Sequence, residues 1–98
     1  MLVKIHKSYR DIVAICDSEL IGKMFEEDRF QLDIKESFFK GDEKTHQEVI
    51  EIMIDMAKED ATFNIIGKES VESALEARII SKEGIKQIQG VPFALVLL

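Results

Sequence analysis

The chain has 98 residues, with 13 Lys and Arg against 19 Asp and Glu, and a formal net charge of −6. Its length fits one domain, and its 46% hydrophobic content excludes a disordered chain. The acidic balance argues against general binding to nucleic-acid phosphates. No apolar run reaches the roughly 18 residues that a membrane helix needs. Charged residues interrupt the N-terminal segment where a signal peptide would lie, and the single cysteine excludes an internal disulfide. We therefore expect a cytoplasmic protein with no membrane partner.

The first two predicted strands form a hairpin. Residues 2–7 alternate between apolar and polar side chains, residues 11–16 are almost entirely apolar, and the polar residues 8–10 between them form the turn. An apolar second strand is typical of a central position in a sheet. Asp17 is then predicted to cap a short helical turn over residues 18–21, which Gly22 ends.

The middle of the chain contains one predicted strand and two predicted helices. Residues 26–28 are expected to form an acidic loop, and residues 30–34 a half-buried strand that residues 37–39 extend past a bulge. The adjacent Phe38 and Phe39 are either a core pair or an exposed platform for stacking. Thr45 and Glu48 match a capping box before the clearest helical pattern in the chain.

A second helix is predicted from about residue 68 to residue 78. Residues 63–66 form either a strand or the frayed end of the first helix, and residues 85–89 and 93–98 form two final strands. The predicted fold class is α+β, with one small domain over residues 1–98, a mostly antiparallel sheet and two main helices. The last strand is apolar throughout, so it must be central, covered or part of an interface, which makes a homodimer through this strand a hypothesis.

The candidate chemical groups do not form a recognisable catalytic or metal site. Cys16 lies before a helical turn that could activate a thiol, but a small buried side chain is the favoured interpretation. His6 and His46 are forty residues apart and do not match a metal-ligand spacing. The sequence therefore predicts no catalytic residue, no metal and no cofactor.

Three segments resemble a family of small archaeal proteins, the domain of unknown function 424. They are residues 16–25, residues 37–41 and residues 90–94, and the Asn-Ile-Ile-Gly sequence at residues 64–67 also matches. The resemblance covers nearly the whole chain and implies a cytoplasmic protein with an association with the translation machinery. Phe93 stands where the family usually has His, so this chain lacks any chemistry of that His.

These observations lead to three functional hypotheses. The first is a non-catalytic interaction module that contacts a ribonucleoprotein or a translation factor. Its contact surface would combine a polar loop with a basic strand. The loop contains Asp17, Glu19 and Lys23, and the strand contains Lys4, Lys7 and Arg10. The loop is either a recognition surface or a turn closed by a salt bridge.

The second hypothesis is a small dimeric enzyme or ligand-binding protein that uses Cys16, Asp17 and Lys23. The third is a structural homo-oligomer joined through the C-terminal strand. In all three, the sequence itself names no partner or substrate.

Overall fold

The computed structural model describes residues 1–97, so the last residue of the predicted C-terminal strand, Leu98, lies outside the description. The chain forms eight strands and three α-helices within this range. The strands are β1 (Leu2–His6), β2 (Ile12–Cys16), β3 (Met24–Glu27), β4 (Phe30–Asp33), β5 (Asp42–Glu43), β6 (Thr62–Ile66), β7 (Lys86–Ile88) and β8 (Val91–Val96). The helices are α1 (Glu36–Phe39), α2 (His46–Lys58) and α3 (Lys68–Glu76), and single 3-10 turns cover Ser18–Leu20 and Lys82–Gly84.

Six of the strands form one sheet in the order β5-β1-β2-β6-β8-β7, while β3 and β4 form a separate hairpin. The pairing of β2 with β6 is parallel, and the other four pairings in the sheet are antiparallel. The α+β class and the mostly antiparallel sheet are thus confirmed. The central position of β2 is confirmed too, because β2 lies between β1 and β6 and its residues 13–16 are fully buried.

The two faces of the sheet are covered differently. Helices α2 and α3 cover one face, which we call the helical face, and pack on Val13, Ile15, Phe63 and Ile65. Helix α1 and the β3–β4 hairpin lie on the opposite face, which we call the hairpin face. They pack there on Ala14, Cys16 and Ile66. Alternation of side chains along the strands divides the core between the two faces.

The start of α2 confirms the predicted capping box. The hydroxyl of Thr45 accepts a hydrogen bond from the backbone N–H of Glu48 at 3.2 Å, and the Glu48 carboxylate accepts one from the backbone N–H of Thr45 at 2.9 Å. The structure also decides between the alternatives for residues 63–66, which belong to the central strand β6.

Two local predictions are wrong. Residues 26–28 are not simply a loop, because Glu26 and Glu27 belong to β3 and Gln31 of β4 donates a hydrogen bond to the Glu26 carboxylate at 3.1 Å. Residues 37–39 do not extend β4 but form α1. A strand would send Phe38 and Phe39 to opposite faces, whereas one helical turn places both aromatic rings against the sheet.

Within residues 1–97, no helix combines the length and the apolar character that crossing a membrane requires.

Candidate functional site

Three of the family-like segments meet where the parallel strands β2 and β6 end. The backbone N–H of Asp17 donates to the carbonyl of Ile66 at 3.1 Å, and that of Gly67 donates to the carbonyl of Pro92 at 2.8 Å. A shallow cavity of about 260 Å³ lies at this junction, and Glu19 and Lys68 are among its lining residues. Ligands of α/β proteins often bind at the carboxyl ends of parallel strands, so this junction is the first candidate site.

The Asp17 carboxylate is already used at this junction. It is 3% exposed and accepts hydrogen bonds from the backbone N–H groups of Glu69 and Ser70 at 3.1 and 2.9 Å, and from the Ser70 hydroxyl at 2.8 Å. Asp17 therefore caps α3, some fifty residues away in sequence, and its side chain does not cap the adjacent turn as predicted. Because this carboxylate occupies the N-terminus of α3 and engages the N–H groups of Glu69 and Ser70, its negative charge disfavours an anionic ligand there.

Gly67 allows this close contact. Its φ is +110°, and a Cβ atom built on it would lie 2.3 Å from the Cγ of Asp17. Any side chain at this position would displace the carboxylate from the helix. The junction is thus a packed structural cap that joins β2, β6 and α3.

Cys16 is fully buried at the end of β2. Its burial, together with the negative charge of Asp17, raises the pKa of the thiol to about 11. Reactive cysteines have lowered pKa values and accessible sulfur atoms. The surroundings of Cys16 therefore favour a structural thiol and argue against its use as a nucleophile.

A serine, a histidine and a glutamate line up between α2 and α3. The Nδ1 of His46 lies 2.9 Å from the Ser73 hydroxyl, and its Nε2 lies 2.9 Å from the Glu76 carboxylate. Ser73 is fully buried, and its hydroxyl donates to the carbonyl of Glu69 at 2.9 Å. A buried hydroxyl whose proton is already engaged cannot attack a substrate, so this cluster links the two helices. No sequence pattern indicates this cluster, because His46 is far from α3 along the chain.

The predicted basic residues do not join the polar loop in one surface. Lys4 donates to the carbonyl of Ser37 at 2.8 Å, and Lys7 forms an ion pair with Asp11 at 3.2 Å. Lys7 and Arg10 lie at the turn between β1 and β2, whereas Asp17 lies at the opposite end of β2. Five residues of strand separate the two ends by about 16 Å.

The expected salt bridge of the polar loop does not form. Lys23 is exposed, and within the described part of the chain it pairs with neither Asp17 nor Glu19. Backbone hydrogen bonds close this turn instead, since the N–H of Lys23 donates to the carbonyl of Leu20 at 3.1 Å, and its carbonyl accepts from Ile34 at 2.9 Å.

The second candidate site is an open depression on the hairpin face, and we call this site the groove. Its volume is about 300 Å³, close to the lower limit for small-molecule pockets. The sheet forms its floor, with Asn64 of β6 and Phe93 and Leu95 of β8, while β4 forms one wall and α1 the other. Leu95 is 57% exposed, so the floor reaches the surface of the molecule.

Asn64 is the polar group at the centre of this floor. It lies between Ala14 and Leu95 in the register of the sheet and is half-buried. Within residues 1–97 its side-chain amide has no hydrogen-bond partner. An amide can donate and accept at once, so Asn64 is available to bind a polar group that enters the groove.

The α1 wall is aromatic. The ring of Phe38 stacks on that of His6 with centroids 4.5 Å apart, and it meets Phe39 edge to face at 5.1 Å. The Nε2 of His6 lies 2.9 Å from the Phe38 carbonyl. Phe39 is buried and Phe38 is half-buried, so the pair combines the two predicted roles, as a core residue and as a partly accessible ring.

The opposite wall is acidic. The β3–β4 hairpin carries four carboxylates against one basic residue, Arg29; the carboxylates are Glu26, Glu27, Asp28 and Asp33. Asp33 lines the groove and lies 3.9 Å from Lys35, at the limit of an ion pair. Positively charged ligands are therefore attracted to this side of the groove.

No three His, Cys, Asp or Glu side chains of residues 1–97 come together as a metal site would require.

The fold and the groove define a small α+β protein with a partly open face on a mixed six-stranded sheet. The chain belongs to the family described as "Protein of unknown function (DUF424)", which it matches over residues 6–98, and this confirms the resemblance seen in the sequence. It is similar to the crystal structure of an uncharacterized conserved protein from the archaeon Methanopyrus kandleri, with a TM-score of 0.87 and 21% sequence identity. The similarity covers 97% of this chain and 88% of the other, and at this identity it establishes the fold alone. No curated protein matches this chain.

Proposed function

We propose that the protein is a non-catalytic interaction module, and that its groove binds a basic, extended segment of a protein component of a ribonucleoprotein particle. The observation that carries the proposal is the unpaired amide of Asn64 on the apolar floor of the groove.

The groups that could perform chemistry serve the fold. The Asp17 carboxylate caps α3, the Cys16 thiol is buried with a raised pKa, and the Ser73 hydroxyl is buried between the helices. A nucleophile needs an adjacent base and room for a substrate, and burial leaves no such room at Cys16 or Ser73. This arrangement supports binding over catalysis.

The groove suits an extended polypeptide segment. Its floor of Phe93 and Leu95 can bury an apolar side chain, and the Asn64 amide can hydrogen-bond to a backbone N–H and C=O of the same segment. A small number of polar groups in an otherwise apolar site fixes the orientation of a ligand. An extended segment points successive side chains to opposite sides, so every second side chain can enter the groove.

The charge of the protein favours a basic partner. The net charge is −6, Asp33 lines the groove, and the β3–β4 hairpin that forms this wall carries three further carboxylates outside the groove lining. Proteins that bind nucleic acid carry Lys and Arg to neutralise phosphates, so their surface segments complement this wall. RNA itself is a poorer ligand, because Lys4 and Lys7 already interact with Ser37 and Asp11.

Site-specific photo-crosslinking tests the proposal. A photo-reactive amino acid replaces Gln31 on the exposed wall of the groove, and in the matched control it replaces Ile54, which is 41% exposed on α2. Each protein is irradiated in a lysate of its native cells, and adducts are identified by mass spectrometry. We expect a defined adduct with a basic polypeptide from position 31, and we expect 0.5 M salt to weaken it because salt screens the charges.

An additional Asp33→Lys substitution in the groove-labelled protein should abolish the adduct. Asp55→Lys on the exposed surface of α2 changes the net charge equally and should leave the adduct intact. Crosslinking to RNA, or the same adducts from positions 31 and 54, would overturn the proposal.

A further inference from the structure

We infer that β8 pairs with the β8 strand of a second copy of this chain, so that two sheets join edge to edge. The observation behind this inference is an unpaired edge. β7 pairs with residues 91–93 of β8, and its last pair joins Lys86 to Phe93. The chain before Lys86 forms the 3-10 turn Lys82–Gly84, so the β7 side of residues 94–96 has no strand partner within residues 1–97.

The direction of the backbone groups follows from the register. The N–H of Gly67 donates to the carbonyl of Pro92, and β6 pairs onward with residues 93–96. Hydrogen-bonding direction alternates along an antiparallel strand, so the backbone of Ala94 faces β6 and that of Leu95 faces the open edge. Leu95 thus presents a backbone donor and acceptor that another strand can pair with.

Two leucines at this edge are exposed. Leu95 is 57% exposed and Leu97 is 72% exposed, and alternation places both side chains on the hairpin face. Val96 lies between them and packs against the helical-face core. The edge therefore combines unpaired backbone groups with uncovered apolar side chains, a combination that exposed sheet edges usually avoid.

A two-fold axis at Val96 satisfies both features. It places Leu95 opposite Leu97 of the second copy. The Leu95 backbone faces the open edge, and continued alternation past Val96 gives the Leu97 backbone the same direction. The pairing stays clear of Phe93, which already has its partner in β7. Four leucines then pack together on the hairpin face, because an antiparallel two-fold pair brings the same side chains together from both strands.

Charge favours this edge over the rest of the surface for contact between two copies. Residues 84–98 contain no Asp or Glu, and Lys86 is their one charged side chain. Two copies with a net charge of −6 each repel one another, and this segment is the longest acid-free stretch along which they can approach. The contact is short, so we expect a dimer in the weak class of interfaces that bury less than about 1,200 Å².

Sedimentation velocity over a concentration series tests the inference. The wild-type protein should shift from monomer to dimer as its concentration rises. Leu97→Lys, which introduces two like charges beside the axis, should raise the dissociation constant at least tenfold, and Leu95→Pro should do the same by removing the outward N–H. Ile54→Lys is the matched control, because it introduces the same charge at another exposed apolar residue, which is 41% exposed and lies on α2.

The outcomes separate this inference from the proposed function. Circular dichroism first establishes that the variants fold, and Leu97→Lys should fold because Leu97 is largely exposed. A wild-type protein that stays monomeric throughout, or a dimer that survives both Leu97→Lys and Leu95→Pro, overturns the inference. Asp33→Lys alters the groove wall alone, so it should abolish the crosslink of position 31 while leaving the dimer intact.

Discussion

Removal of the Asp17 carboxylate should destabilise the protein more than any loss of a surface cap. In Asp17→Ala, two backbone N–H groups in the first turn of α3 and the Ser70 hydroxyl lose their acceptor inside the fold. Water cannot replace that acceptor without opening the junction, because Asp17 is 3% exposed and Ser70 is fully buried. The loss therefore includes the desolvation of unpaired donors as well as the hydrogen bonds themselves.

The magnitude follows from these contacts. A hydrogen bond to a charged group contributes about 1.5–3 kcal/mol, and the three bonds act as one unit and do not simply add. We expect Asp17→Ala to lower the free energy of unfolding by about 3–4 kcal/mol. For a chain of this size, that loss lowers the melting temperature by roughly 12–25 °C. Asp17→Asn keeps one acceptor oxygen and should cost about 1–2 kcal/mol.

Urea unfolding followed by circular dichroism measures these changes. Thr45→Ala is the matched control, because Thr45 caps α2 through one exposed hydroxyl and its loss should cost about 1 kcal/mol. If Asp17→Ala costs no more than Thr45→Ala, the buried cap does not hold the junction and the reasoning fails.

Three further predictions concern the core and the caps. Gly67→Ala should lower the melting temperature far more than Gly84→Ala. A Cβ atom at Gly67 would meet the Asp17 side chain, whereas one at Gly84 would meet nothing within 4 Å. Equal effects of the two substitutions in thermal unfolding would contradict this. Cys16 should react with iodoacetamide at pH 8 at least a hundredfold more slowly in the native protein than in urea. The thiol is buried and its pKa is raised to about 11, and both effects slow the reaction. Comparable rates in the two conditions would show an accessible thiol. Hydrogen bonds from Thr45 lower the pKa of Glu48 below 4.5 in the folded protein. Its carboxylate therefore stabilises the fold above that pH, and this stabilisation is lost as the pH falls through the folded pKa. The difference in the free energy of unfolding between wild type and Glu48→Gln should shrink when urea unfolding is repeated at increasingly acidic pH. A difference that stays constant with pH would refute this linkage.

The sequence predicted those features that depend on neighbouring residues. The hairpin of β1 and β2, the central position of β2 and the capping box of Thr45 and Glu48 all rest on local alternation or on a three-residue spacing. Helix α1 was not predicted, because a four-residue helix has too few positions for a helical period to show. Its conformation is set by the burial of Phe39 against the sheet, which is a tertiary contact.

The candidate sites were the least predictable part. Asp17 was predicted to cap the adjacent turn, whereas its carboxylate caps α3, some fifty residues away, and only the parallel pairing of β2 with β6 brings α3 beside it. The groove combines α1, β4, β6 and β8, so no short motif describes it. Asn64 and Leu95 become neighbours through antiparallel register alone, so the sequence did not predict that they line one groove, although Leu95 belongs to the strand predicted as a homodimer interface.

Co-sedimentation from a lysate of the native cells tests whether the groove holds the protein on ribonucleoprotein particles. Tagged wild-type protein, Asp33→Lys and Asp55→Lys are each run on sucrose gradients at low and high salt, with and without RNase. The account predicts that wild type and Asp55→Lys migrate with ribonucleoprotein particles at low salt, that high salt releases them, and that Asp33→Lys remains at the top of the gradient. After RNase treatment the wild-type protein should leave the heavy fractions together with a basic polypeptide. Migration of the wild-type protein as a small free species under every condition would contradict the account.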